Sequence, residues 1–256
     1  MVIRRIREHV ATHNWFAVAV DLAIVILGVF LGTQANNWNQ ARIERDKAHA
    51  YRERLIADLR DNEYEMHDKQ VYYSAVLGHA TAALAAFDKP VAQLGEQFLI
   101  DASQATQVYS TRSKRFTYDE LVAAGDLDLL GNLGERIGTY YVLLDNVSNL
   151  TGQFPPYRER LRREIPYNVE LPIRQHCSDI NLLNKNGAFR ATLPDNCRIG
   201  LDRAIVARGV ARLRAAPELD RDLSRYVFFL RQTINSHRGV ERRARDLRQI
   251  IERAEK

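Results

Sequence analysis

Asp21 is the one charged residue between Trp15 and Ala35, in the run WFAVAVDLAIVILGVFLGTQA. At roughly 1.5 Å per residue this run reaches about 30 Å as a helix, one hydrocarbon thickness of a bilayer. Counted from Trp15, Asp21 would sit about 9 Å inside the interface. A charge at that depth costs roughly 2.5 kcal/mol or more unless it is paired or protonated. Asp21, Gly28, Gly32 and Ala35 fall close to one helix face, and Gly28-x-x-x-Gly32 is a close-packing spacing. Three readings stand. The face packs on a second copy or a partner span with Asp21 hydrogen-bonded inside; or Asp21 conducts protons, as acids do in single-span subunits of ion-driven motors; or it reaches water and headgroups.

Other candidates for chemistry are thin. Glu63 and His67 stand four apart, as two metal ligands or a helical ion pair would, but no second His-containing pair accompanies them. His79 reads as an ordinary helix residue. Ser110, Thr111 and Ser113 come without a nucleophile-elbow glycine pattern or a partner base. No glycine loop for phosphate and no nucleotide fingerprint is present. The sequence therefore nominates no catalytic residue, no metal and no cofactor, and it reads as that of a non-enzyme. An enzyme whose site assembles from scattered residues is the reading from another class. The two cysteines, Cys177 and Cys197, flank a loop rich in Asn, Asp, Gly and Pro. They suit a disulfide in an oxidising compartment, which would contribute on the order of 3 kcal/mol by the chain-entropy model. The alternative is two unrelated buried thiols. Zinc lacks ligands, His176 being the only soft one nearby.

The elements that must position these residues begin with a membrane helix. Trp15 and Trp38 bracket the apolar run where an aromatic belt places them. A buried core helix would show a polar stripe, and Leu22 to Leu31 has none. A cleaved signal would have a shorter apolar region and a better cleavage site than Thr33-Gln34-Ala35, so the span is expected to be retained. Beyond it, Gln34, Asn36, Asn37, Trp38 and Asn39 form a polar collar. The collar reads either as a helix leaving the headgroups or as a docking surface. Arg4, Arg5 and Arg7 favour a cytoplasmic N-terminus; Arg42, Arg45, Lys47, Arg52 and Arg54 count the other way. Long domains cross largely regardless of charge, which leaves the domain expected in the periplasm.

After Asn39 the pattern is helical nearly throughout. Ala48, Tyr51, Leu55, Leu59, Asn62 and Met66 recur at helical steps, and no Pro or Gly interrupts Asn39 to Leu77. The spacing predicts a stalk to about Asp68, a second helix over 71–87, and a short helix opened by a Thr117–Glu120 capping box and closed by Gly125. Further helices are predicted over 136–149, 157–164 and 200–214, with Pro166 and Pro172 leading into the cysteine loop. A last helix from Glu218 to Glu255 matches the stalk in length and is expected to pack antiparallel to it, returning the C-terminus at Lys256 toward the membrane. Tyr72, Tyr73, Tyr140 and Tyr141 read as core residues or as the lining of an inter-helix pocket.

The segment Asp21 to Asn39 resembles a family of uncharacterised bacterial single-span membrane proteins. Their signature is an acid, a glycine-interrupted aliphatic run and Gln-x-Asn-Asn-Trp-Asn, met here by Asp21, Gly28, Gln34, Asn36, Asn37, Trp38 and Asn39. A second block, Leu-x-x-acid-Leu-x-x-Asn, matches Leu55, Asp58, Leu59 and Asn62. A third matches Tyr118, Leu121, Gly125, Leu127, Asn132, Arg136 and Tyr141. Asp21 stands where the family more often has Glu, Gly32 is an additional glycine, and the C-terminal third has no counterpart. The resemblance implies architecture and no activity.

Together these observations predict an all-α protein: a basic tail over 1–14, a transmembrane helix over 15–38 continuing into a stalk, and an antiparallel helical bundle within 39–256 with a cysteine-closed loop at 177–197. The expected setting is the bacterial inner membrane, single-pass. The expected partners are the lipid bilayer, a second copy through the span, and an unidentified protein. The net charge of +5 does not argue for nucleic acid, because the last helix interleaves acids and bases. Its Arg242, Arg243, Arg245 and Arg248 are candidates for anionic headgroups. A non-catalytic partner-binding or ligand-sensing role is the leading reading; an accessory subunit of a transport or gating complex, using Asp21, is the other.

Overall fold

The absence of proline and glycine after Asn39 has its counterpart in a computed structural model of the chain, where helix α1 runs unbroken from Trp15 to Ala86. The structure describes residues 15–109, 111–153, 155–183, 189–194 and 196–254. The basic tail, Ser110 and Lys256 lie outside them. The expected break between a stalk and a second helix near residue 70 does not occur. His67-Asp68-Lys69-Gln70 contains neither a helix breaker nor a cap, and Gly78 alone is too weak a breaker to end a helix. The chain divides into two units at Glu53 and Arg54.

The first unit holds the apolar part of α1. Leu22, Ile24, Val25, Ile26, Leu27, Val29, Phe30 and Leu31 are exposed, as are Trp15 and Trp38.

The second unit is all-α apart from one small hairpin. Helices α2 (Glu96–Gln104), α3 (Phe116–Ala124), α4 (Asn132–Thr151), α5 (Pro156–Glu164), α6 (Tyr167–His176), α7 (Arg203–Ala215) and α8 (Leu219–Ala254) follow the Arg54–Ala86 part of α1. Strands β1 (Ile180–Leu183) and β2 (Phe189–Thr192) pair antiparallel, Ile180 opposite Thr192, inside the cysteine loop. Tyr72, Leu99, Tyr157, Val169, Leu213 and Leu230 belong to one buried core. Each such large side chain contributes roughly 1.5–3 kcal/mol by leaving water. Helix α7 can approach α2 and α6 closely because position 209 is glycine: a Cβ there would lie 3.1 Å from Leu99 and 3.2 Å from Val169.

The expected antiparallel pairing of the last helix with α1 is present, and polar contacts mark its register. Arg60 meets Glu252 at 3.6 Å, Glu63 meets Arg248 at 2.5 Å, and Gln70 donates to Glu241 at 2.6 Å. Tyr73 stacks on His237 with ring centroids 5.6 Å apart. Partner numbers fall along α8 as they rise along α1, which only an antiparallel pair allows.

Several local expectations change. The capping box at Thr117 does not form: α3 begins at Phe116 without a side-chain cap, and the Thr117 N–H donates to Asp58 Oδ2 at 3.2 Å. An acid far away in sequence thus takes the role assigned to the local pair. Gly125 closes α3 at φ 70°, as its position required. Pro172 lies inside α6, whose N-cap is Pro166. Helix α7 starts at Arg203 and not at Gly200, because Asp202 accepts from the N–H groups of Ala204 and Ile205. Helix α2 went unpredicted.

Candidate functional site

In the first unit the collar residues Gln34, Asn36, Asn37, Trp38 and Asn39 are all exposed, and Asp21 is half-buried within its own helix. Gly28 and Gly32 are open: a Cβ at either would meet nothing within 4 Å. Thr33 returns its hydroxyl to the Phe30 carbonyl at 2.8 Å. Among the described residues, then, this unit presents one apolar helix bearing an acid, two glycines and a polar end.

In the second unit the family-like positions converge on one junction. Asn62, fully buried, donates from Nδ2 to the Lys114 carbonyl at 2.9 Å and accepts from the Lys114 N–H at 2.7 Å. With Asp58 holding Thr117, two polar residues on one face of α1 grip the chain as it enters α3. Leu55, Leu59 and Leu121 are fully buried. Tyr118 stacks on Tyr141 at 4.3 Å. Arg115 binds Asp145 at 2.6 Å and Asp119 at 2.9 Å, and these hydrogen bonds, Asp145 first, raise its pKa. Asn132 opens α4, and Arg136 lines a shallow cleft with Tyr140, Arg243 and Asp246. Their arrangement fixes α1, α3 and α4 together; it aligns no nucleophile with a base.

Glu63, His79 and Thr111, named singly from the sequence, each have a partner elsewhere in the fold. Glu63 faces Arg245 and Arg248, not His67, at 3.5 and 2.5 Å. Of the arginine cluster, Arg245 and Arg248 are tied to Glu63, Glu241 and Glu252 within the fold. The hydrogen bond that Arg248 donates to Glu63 leads in raising the arginine's pKa. His79 pairs with Asp101 at 2.8 Å, a link its surroundings in sequence do not announce. The Thr111 hydroxyl donates to Glu65 at 2.8 Å. Among the described residues no three His, Cys, Asp or Glu side chains gather as metal ligands would.

Cys177 and Cys197 lie at disulfide distance, their Cα atoms 5.6 Å apart. Long-range polar contacts hold this region to the helices. Gln104 donates to the Cys177 carbonyl, Tyr72 donates to Asp179 at 2.9 Å, and Arg190 on β2 meets Asp68 at 3.2 Å. Burial raises both Asp68 and Asp179; Arg190 and the Tyr72 hydroxyl oppose it respectively without prevailing.

The arrangement best suited to recognise a molecule is a cavity of about 260 Å³ in this unit. Its walls are Lys69 and Tyr73 of α1, Val108, Tyr109 and Thr111 of the connection after α2, Ser148, Thr151 and Gly152 at the end of α4, Arg158 of α5 and His237 of α8. Lys69 Nζ is held by Glu65 at 2.8 Å and by the Thr111 carbonyl at 3.3 Å. Arg158 donates to the Thr106 carbonyl at 2.7 Å. His237 is only 2% exposed, and its Nδ1 has no hydrogen-bond partner among the described residues. Burial, with a smaller contribution from Lys69, pushes its pKa down to about 3, so the ring is neutral. Of the four tyrosines named from sequence, Tyr73 lines this cavity and Tyr140 the shallow cleft, while all four are buried. Lys69, Arg158 and His237 were not singled out as a set, because five separate stretches of chain supply the walls and no local spacing joins them. Compared with family models, with curated proteins and with solved structures, the chain finds no match.

Proposed function

We propose that this chain is a single-span protein of the bacterial inner membrane, N-terminus in the cytoplasm and helical domain in the periplasm, acting as a non-catalytic sensor of a small ligand. The observation that carries the reading is the apolar part of α1, whose large apolar side chains are exposed among the described residues. Leaving that face in water would forgo about 25 cal/mol for every Å² that a bilayer removes from it. The pairing of Cys177 with Cys197 supports an oxidising compartment for the domain. The Gln34–Asn39 motif supports kinship with the single-span family it resembles. Gly28 and Gly32, open and one turn apart, suit a second copy of the span as partner.

The test is fractionation of cells expressing the full chain, followed by an alkaline carbonate wash of the membranes. The chain is expected to stay in the pellet at its full mass of 29.4 kDa. Release into the wash, or a shortened product lacking the apolar segment, would overturn the reading.

A further inference from the structure

We propose that the cavity walled by Lys69, Arg158 and His237 binds a small organic acid through its carboxylate, which deepens the ligand-sensing reading and rests on it. Four observations converge. Among the described residues the lining contains two cationic side chains and no Asp or Glu. Glu65 holds Lys69 from one turn away along α1 without joining the wall, and Lys69 still has a third ammonium donor beyond those given to Glu65 and Thr111.

His237 supplies the second argument. A buried polar atom without a partner is costly, and structures rarely retain one without reason. An anion in the cavity would accept from Nδ1–H of the neutral ring and remove that cost. Tyr73, stacked on the imidazole at an interplanar angle of 25°, holds its plane. The third argument is pre-organisation: Lys69 and Arg158 are each fixed by backbone carbonyls, so binding orders little that is not ordered already. The fourth is size. About 260 Å³ lies just below the ~300 Å³ at which drug-sized pockets begin, which suits a metabolite-sized acid. Tyr73, Tyr109 and Val108 offer apolar wall to its body; Ser148, Thr151 and Gly152 stand at the end of α4.

The experiment is thermal unfolding of the full chain in detergent micelles with benzoate or succinate as probe, and with benzamide or inorganic phosphate at matched ionic strength as controls. A saturable rise in Tm, roughly 5 °C at a hundred-fold excess over Kd, is expected from at least one acid and from neither control. It should vanish in Lys69→Gln and in Ser148→Phe, which fills the cavity from α4. Should Lys69→Gln fail to fold, the His237 ring ¹⁵N shift in the wild-type chain decides, and it should move on titration with the same acid. No rise and no ring shift from either acid would overturn the proposal. So would an equal rise from phosphate, or a rise that survives Ser148→Phe. None of these measurements involves a bilayer, so their failure leaves the anchored reading standing, and failure of the carbonate test leaves the cavity standing.

Discussion

Asn62 ties its side-chain amide to the backbone of one residue 52 positions away, through the Lys114 N–H and carbonyl. Because Asn62 is fully buried, removing that amide leaves a void and deprives two backbone groups of their partner. Asn62→Ala is therefore expected to destabilise the chain by about 2–3 kcal/mol, read as a lowered urea midpoint. His237 makes a second residue-scale prediction. Its folded-state pKa is about 3, below its ordinary value of 6.5, so the unfolded chain binds the extra proton. Stability from this group is complete above pH 6.5 and falls as pH drops from 6.5 toward 3. Asp68 and Asp179, both raised by burial, pull the opposite way over the acid range. Comparing urea midpoints at pH 7.5 and 5.5 in wild type and His237→Gln isolates the histidine, and the variant should lose less stability on acidification.

At the scale of elements, the antiparallel seam between α1 and α8 rests on Glu63 and Arg248, whose side chains are 11% and 18% exposed. A pair so enclosed should couple. A double-mutant cycle with Glu63→Gln and Arg248→Met is expected to give an interaction energy of about 1–3 kcal/mol, and a value near zero would contradict the seam. The long elements were legible because their causes are local. The stretch from Asn39 to Leu77, free of Pro and Gly, gives the middle of α1; apolar residues from Leu223 to Ile251 at helical spacing give α8; Gly125 gives the end of α3. What escaped depends on distant partners. Glu96 opens α2 while accepting from the N–H groups of Ile199 and Leu201, more than a hundred residues on. Burial pushes its carboxyl up, but those N–H groups prevail and lower it. Thr117 and Glu120 spell a capping box that the real partners, Asp58 and Arg54, make unnecessary. The cavity is illegible for the same reason, its three recognition residues coming from α1, α5 and α8.

At the scale of the whole molecule, the account turns on which side of a membrane the domain occupies. Composition, the apolar span and the cysteine pair were all readable without a structure, whereas side assignment had opposing arginine counts to contend with. The cysteine pair is the natural reporter. Cys177 is fully buried and Cys197 only half-buried, so Cys197 is the thiol a reagent reaches first. The decisive measurement is labelling of Cys197 in intact cells with a membrane-impermeant maleimide, with and without prior reduction. The account predicts no label before reduction and label at Cys197 after it, with the inner membrane unbroken. A thiol that reacts without reduction, and only once the inner membrane is permeabilised, would put the domain in the cytoplasm and contradict the account.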